Sequence, residues 1–66
     1  MYRIFTRTWY RRNPNFPGGL EPHAGRKTTI AHAATYAAAQ DVCRVWNANH
    51  APGRLSRKAE FEQVKE

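Results

Sequence analysis

The sequence predicts a small α+β domain, in which a three-stranded antiparallel sheet is covered on one face by a single amphipathic helix. Three observations support this prediction. An opening stretch alternates in polarity with a period of two, an alanine-rich middle stretch repeats with the period of a helix, and a closing stretch alternates again. The 66 residues are expected to form one domain, residues 1–66, because a chain this short supports only one small core.

The first predicted strand, residues 1–12, has two chemically different sides. β-Branched and aromatic residues dominate it, and neither glycine nor proline interrupts it, which is typical of a strand. One side carries Tyr2, Ile4, Thr6, Thr8 and Tyr10. The other side interleaves arginines with large aromatic rings and consists of Arg3, Phe5, Arg7, Trp9 and Arg11. If the first side packs beneath the helix, the second is left open.

A loop and a second strand follow. Residues 13–25 contain three prolines and three glycines, so we expect a long loop there. Residues 26–33 alternate again, with Thr28, Ile30 and His32 on one side. We expect this segment to pair antiparallel with the first strand.

The middle of the chain predicts an amphipathic helix over residues 35–49. Thr35 is an N-cap residue whose hydroxyl can accept a hydrogen bond from a free amide of the first turn. With the period of a helix, the apolar side chains gather on one side, which comprises Ala38, Ala39, Val42, Cys43 and Trp46. This stripe is expected to lie on one face of the sheet.

A third strand is predicted over residues 55–64, after the turn at Pro52-Gly53, with Ala59 and Phe61 facing the helix. A right-handed crossover places this strand beside the first and gives the sheet order 2-1-3, with all neighbours antiparallel. The expected core consists of Ile4, Ile30, Ala39, Val42, Cys43, Trp46 and Phe61.

Composition and charge narrow the classes of function. A net charge of +6 and a pI near 10.3 favour polyanionic partners, namely nucleic acid, an acidic protein or an anionic surface, although basic residues also serve solubility alone. The one cysteine, Cys43, forms no internal disulfide, which favours a reducing compartment. No apolar run approaches the roughly 20 residues that span a bilayer, and no signal peptide is evident. We therefore expect a cytoplasmic protein.

The open side of the first strand is the main functional feature. Arginines hold phosphates, and aromatic rings on the central strand of an open sheet stack the bases of single-stranded nucleic acid. Two structural alternatives stay open. In the first alternative, Phe5 and Trp9 lie in the core beneath the helix. In the second, Glu60 and Glu62 on the neighbouring strand pair with the arginines in an ion-pair ladder.

Motifs for catalysis, metal binding and nucleotide binding are weak. The Gly25–Thr28 segment lacks the glycine spacing of a phosphate loop and precedes a strand rather than a helix. Cys43 and His50 have a spacing that matches no common zinc motif. Glu60 and Glu62 alternate along a terminal strand, as solvent-facing carboxylates do. We expect no enzyme activity, no cofactor and no bound metal.

A basic cluster, Arg54–Lys58, follows the predicted helix. It either extends the positive surface or supplies edge-strand charge that discourages aggregation, and the two roles are compatible.

The chain resembles the small proteins carried by bacteriophages and prophages. The segments that carry this resemblance are Thr8-Trp9, Gly25-Arg26-Lys27, Cys43-Arg44-Val45-Trp46-Asn47 and residues 52–62. The resemblance implies a setting in a bacterial host and transfers no residue roles. Small phage accessory proteins bind DNA or RNA, or they bind and inhibit a host enzyme or defence complex.

The leading hypothesis is a non-catalytic module that binds nucleic acid, either DNA or RNA, through the open side and the neighbouring basic loop. The residues expected to bind are Arg3, Phe5, Arg7, Trp9, Arg11, Arg12, Arg26 and Lys27. The alternative is a phage-type inhibitor or adaptor that binds an acidic host protein through the same face. The chain is expected to be a monomer or a homodimer, and in a homodimer two open faces would pair.

Overall fold

The computed structural model describes residues 1–65, which form a three-stranded sheet, a two-stranded sheet and one α-helix. In chain order the elements are β1 (Tyr2–Arg7), β2 (Tyr10–Arg12), β3 (Leu20–Pro22), β4 (Thr28–Ala33), α1 (Tyr36–Asn49) and β5 (Lys58–Gln63), with a 3-10 turn at Pro17–Gly19. Glu66, the last residue of the predicted domain, lies outside the described residues. No helix within residues 1–65 is long and apolar enough to cross a membrane.

The main sheet has the predicted order and direction. Its strands run β4-β1-β5, and β1 pairs antiparallel with both neighbours. At the centre, Ile4 lies opposite Ala31 on one side and Phe61 on the other. The predicted α+β class and the 2-1-3 order are therefore confirmed, with β1 as the central strand.

The prediction of one continuous strand over residues 1–12 is wrong, because the chain breaks at Thr8 and Trp9. The amides of Trp9 and Tyr10 both donate to the carbonyl oxygen of Leu55, at 2.9 and 3.1 Å. Two successive amides cannot share one acceptor in a straight ladder, so the strand bends here and β2 leaves the main sheet. The Gly25 amide donates to the Thr8 carbonyl at 2.8 Å and closes the other side of the bend.

Gly25 is needed at this bend because the backbones approach closely. A Cβ atom at Gly25 would lie 2.4 Å from Thr8 Oγ1, a distance that real side chains do not adopt. The predicted loop over residues 13–25 also contains β3, which pairs with β2 as Arg11 faces Glu21. The interpretation of residues 13–25 as loop throughout is therefore wrong at residues 20–22.

The helix begins and packs as predicted. Thr35 Oγ1 accepts a hydrogen bond from the Ala38 amide at 3.1 Å, which confirms the N-cap. The buried cluster beneath α1 consists of Ile4, Ala39, Cys43 and Ala59, with Val42, Trp46 and Phe61 packed against it. Small side chains on α1 and β5 let the helix lie close to the sheet.

Ile30 was expected in the core and is instead 40% exposed. The pairing of β1 with β4 shifts between Ile4, opposite Ala31, and Phe5, opposite Thr29, so that Ile30 is an extra residue in a β-bulge. The bulge reverses which residues of β4 face the helix, and Ala31 and Ala33 pack on the core. A period-two reading of residues 26–33 cannot detect this reversal.

Candidate nucleic-acid interface

The arginine-bearing side of β1 faces away from α1, as expected. Ile4 is fully buried against the helix, and Tyr2 packs against the same core. Alternate residues of a strand point to opposite faces, so Arg3, Phe5 and Arg7 lie on the other face. The alternative that placed Phe5 and Trp9 beneath the helix is therefore wrong.

Phe5 lies on this outer face but is not accessible. Three cations cover its ring, with Lys27 Nζ at 4.8 Å, Arg7 Cζ at 5.2 Å and Arg3 Cζ at 5.6 Å from the ring centroid. The residue is 4% exposed. The prediction that Phe5 offers an open stacking surface is therefore corrected: its ring is the platform on which the cations sit.

Two glutamates of β5 complete this arrangement. Glu62 receives a hydrogen bond from Lys27 at 2.5 Å and lies 3.8 Å from Arg3, while Glu60 lies 3.9 Å from Arg7. The hydrogen bond from Lys27 lowers the pKa of Glu62, and the charges of Lys27, Arg3 and Arg7 act in the same direction. The ion-pair ladder is therefore confirmed. We call this group the sheet face: Arg3, Phe5, Arg7, Lys27, Glu60 and Glu62.

Arg7 is the most enclosed cation of the sheet face. Its guanidinium lies 5.2 Å from the centroid of Phe5 and 5.1 Å from that of Trp9, and its side chain is 16% exposed. Arg7 Nε and Glu60 Oε2 are both buried without a hydrogen-bond partner, so charge attraction rather than a direct hydrogen bond holds the pair. Trp9, 36% exposed, forms the border of the sheet face.

Arg11 and Arg12 lie on opposite faces of the β2–β3 hairpin. Arg11 Nε donates to Glu21 Oε2 at 2.6 Å, and Asn13 Nδ2 donates to the same oxygen at 3.3 Å. The hydrogen bond from Arg11, followed by that from Asn13, lowers the pKa of Glu21. Arg12 is opposite Leu20 and has no carboxylate within 4 Å among residues 1–65.

A cleft of about 360 Å³ opens beside Arg12, and its lining includes Arg54. The two arginines come from distant parts of the chain. The hydrogen bonds from Trp9 and Tyr10 to Leu55 hold the loop between α1 and β5 against the start of the hairpin. The bend that ends β1 therefore also brings Arg12 and Arg54 to one cleft.

Two further cations lie where this loop enters β5. Arg57 and Lys58 line a second cleft of about 210 Å³, together with Asn47 and His50. Arg57 Nη1 also donates to Thr6 Oγ1 at 3.4 Å. We call the four cations around the loop the basic end: Arg12, Arg54, Arg57 and Lys58.

The distribution of acids separates the two regions. All four acids among residues 1–65 form ion pairs: Glu21 with Arg11, Asp41 with Arg44, and Glu60 and Glu62 on the sheet face. The described cations with no carboxylate of residues 1–65 within 4 Å are Arg12, Arg26, Arg54, Arg57, Lys58 and Lys65. Four of these six cations lie around the loop between α1 and β5, and one of the four, Lys58, is opposite Arg7 in the β1–β5 ladder and also borders the sheet face.

The predicted binding residues do not form one surface. Arg3, Phe5, Arg7 and Lys27 come together on the sheet face, Arg11 and Arg12 lie on the hairpin, and exposed Arg26 precedes β4. Arg54, Arg57 and Lys58 were absent from the predicted set. The sequence signal for them was the basic cluster Arg54–Lys58, in which no acid occurs.

The structure brings no metal-ligating group together within residues 1–65. Cys43 lies in the core, where burial raises the pKa of its thiol and the charge of Glu60 adds to the effect. A buried thiol that stays protonated packs as a small apolar side chain.

Comparison with known proteins gives no relative for this chain: no family model, no curated protein and no solved structure is significantly similar to it. Function is therefore inferred from the geometry and charge of the described residues.

Proposed function

We propose that this chain is a small, non-catalytic nucleic-acid-binding module that holds the phosphate backbone at its basic end. The observation that carries the proposal is that Arg12 and Arg54 line one cleft, and Arg57 and Lys58 line another beside the same loop, with no carboxylate partner among residues 1–65. A cation without a carboxylate partner keeps its charge and most of its hydrogen-bond donors for a ligand, and it releases counterions when a phosphate replaces its ion atmosphere.

In this proposal the sheet face contributes less to nucleic-acid binding than the sequence suggested. Its cations already meet Glu60 and Glu62, and a phosphate would have to compete with these carboxylates. The covered ring of Phe5 is not available to a base. The setting we propose is the cytoplasm of a bacterial host, on the strength of the resemblance to small phage proteins.

A protein-binding role, as an inhibitor or adaptor on a host protein, is the second candidate. Tyr36 is 57% exposed at the end of the sheet opposite the basic end, and its ring meets those of Tyr2 and Phe61 edge to face at 6.0 and 5.1 Å. Rigid aromatic groups of this kind are enriched in protein interfaces. Under the leading proposal, Tyr36→Ala leaves nucleic-acid affinity unchanged.

The test is fluorescence anisotropy with labelled single-stranded DNA, single-stranded RNA and duplex DNA over a salt series. Four phosphate contacts predict a slope of about −3 in log affinity against log salt for a single strand. The double variant Arg12→Ala/Arg54→Ala should bind much more weakly and with a flatter slope.

The matched control is Arg11→Ala/Arg44→Ala, which removes the same charge from arginines that already have carboxylate partners. This control should retain most of the affinity. Absence of binding at low salt, or equal losses in the two double variants, would rule out the proposed function. Capture of a host protein that depends on Tyr36 would then favour the second candidate.

A further inference from the structure

The β2–β3 hairpin presents an aromatic ring next to the cleft lined by Arg12 and Arg54. Directly opposed residues share a face of a hairpin, so Tyr10 and Arg12 lie on one face with Pro22 and Leu20. Glu21, which neutralises Arg11, lies on the other face. Tyr10 and Arg12 are two residues apart, about 7 Å along the strand.

Tyr10 is the aromatic residue best placed to meet a ligand here. It is 38% exposed, and no ring or cation within residues 1–65 stacks on it. Trp9, by contrast, already has the Arg7 guanidinium over its ring. The site therefore offers a ligand two kinds of contact: stacking on the free ring of Tyr10 and charge pairing with Arg12 and Arg54 in the cleft.

The wall of the cleft is held in shape by backbone hydrogen bonds. The Asn13 amide donates to the Gly19 carbonyl at 3.0 Å, and the Gly19 amide donates to Phe16 at 2.8 Å. The Asn15 amide donates to Asn13 Oδ1 at 3.0 Å, which closes a turn around Pro14. A ligand therefore meets a preformed cleft and does not have to order the loop, which lowers the entropic cost of binding.

We infer that the hairpin and the loop between α1 and β5 form a binding site for single-stranded nucleic acid. In this single-strand site, Arg12 and Arg54 hold one phosphate and Tyr10 stacks on the adjacent base. This inference rests on the proposed function and deepens it. An unpaired base can rotate outward onto the phenol ring, whereas the bases of a duplex are stacked within the helix and cannot reach it. The site therefore prefers single strands over duplex.

The experiment compares Tyr10→Leu with Tyr10→Phe, using one labelled oligonucleotide as DNA, as RNA and as a duplex with its complement. Stacking of one base predicts that Tyr10→Leu weakens single-strand binding by about tenfold and leaves duplex binding unchanged. Tyr10→Phe keeps the ring and should retain the affinity. Thermal melts of both variants verify that the chain still folds.

Each outcome distinguishes the inference from the proposed function. If duplex and single strand bind with equal affinity and Tyr10→Leu changes neither, the single-strand site is ruled out and phosphate binding at the basic end still stands. If Tyr10→Leu lowers the affinities for duplex and single strand to the same extent, the single-strand site is also ruled out. Absence of binding by the wild-type chain would overturn both.

Discussion

On the sheet face, three cations and two carboxylates surround one covered phenyl ring, whereas the four cations of the basic end have no carboxylate partner within the described residues 1–65. Both regions contain arginine and lysine, and in the sequence they look alike. Their difference lies in what each cation already contacts. A cation that rests on a ring and pairs with a glutamate contributes to the fold, while an unpaired cation remains available to a ligand.

The sheet face gives the largest predicted effect on stability. Phe5→Ala removes a covered ring and the platform of three cations, so we expect a loss of about 3–5 kcal/mol in the free energy of unfolding, measured by urea denaturation. Phe5→Leu keeps apolar volume and should fold. If folded Phe5→Leu loses most of its nucleic-acid affinity, the ring belongs to the binding surface and the division between the two regions is wrong.

Asn47 ties α1 to β5 next to Arg57 and Lys58. Its amide donates to the Ala59 carbonyl at 3.2 Å, and its side-chain oxygen accepts from the Ala59 amide at 2.8 Å. Asn47→Ala removes both bonds to a buried residue and should cost about 2 kcal/mol of stability in thermal or urea unfolding. Asn49→Ala is the control, because its exposed bond to Val45 lies within the helix, and it should cost much less.

The basic end gives the next effect, on binding rather than on stability. Arg54→Ala should weaken single-strand affinity by about tenfold, the value of one charge-assisted hydrogen bond, and leave the melting temperature unchanged. Arg44→Ala, which removes a cation paired with Asp41, should leave affinity nearly unchanged. A larger effect of Arg44→Ala in anisotropy would show that net charge, and not the position of the charge, controls binding.

The smallest effect concerns acid stability of the sheet face. The hydrogen bond from Lys27 lowers the pKa of Glu62 in the folded chain. The ionised carboxylate therefore stabilises the folded state at pH values above the ordinary carboxyl pKa of about 4.3. This contribution is lost as the pH falls through the lowered pKa. Melting temperatures should therefore fall on acidification below about pH 4, and Glu62→Gln should flatten that part of the profile. An unchanged profile in Glu62→Gln would show that the ladder does not stabilise the fold.

The fold follows largely from periodicity. The helix, its Thr35 cap and the 2-1-3 sheet order could be predicted, since local patterns and one crossover rule determine them. Ile30 could not be placed, because the bulge that turns it outward depends on pairing with β1. The break at Thr8 and Trp9 depends on a distant carbonyl, that of Leu55, and leaves no mark in the residues around it.

The candidate site was harder to predict than the fold. The sequence placed Arg3, Phe5 and Arg7 on one face correctly, but exposure of Phe5 depends on Lys27, which approaches from a neighbouring segment. Arg12 and Arg54 are 42 positions apart and meet only because the chain bends. Charge counting along the sequence detects basic clusters, and pairing in space decides which of them remain unpartnered.

The most direct test of the division between the two regions is a two-dimensional amide NMR titration with an unlabelled single-stranded oligonucleotide. Backbone amides of residues 9–13 and 53–58 should shift progressively with added ligand, while those of residues 3–6, 27–29 and 60–62 stay in place. Shifts confined to residues 3–6, 27–29 and 60–62 would contradict this division and return the binding surface to the sheet face.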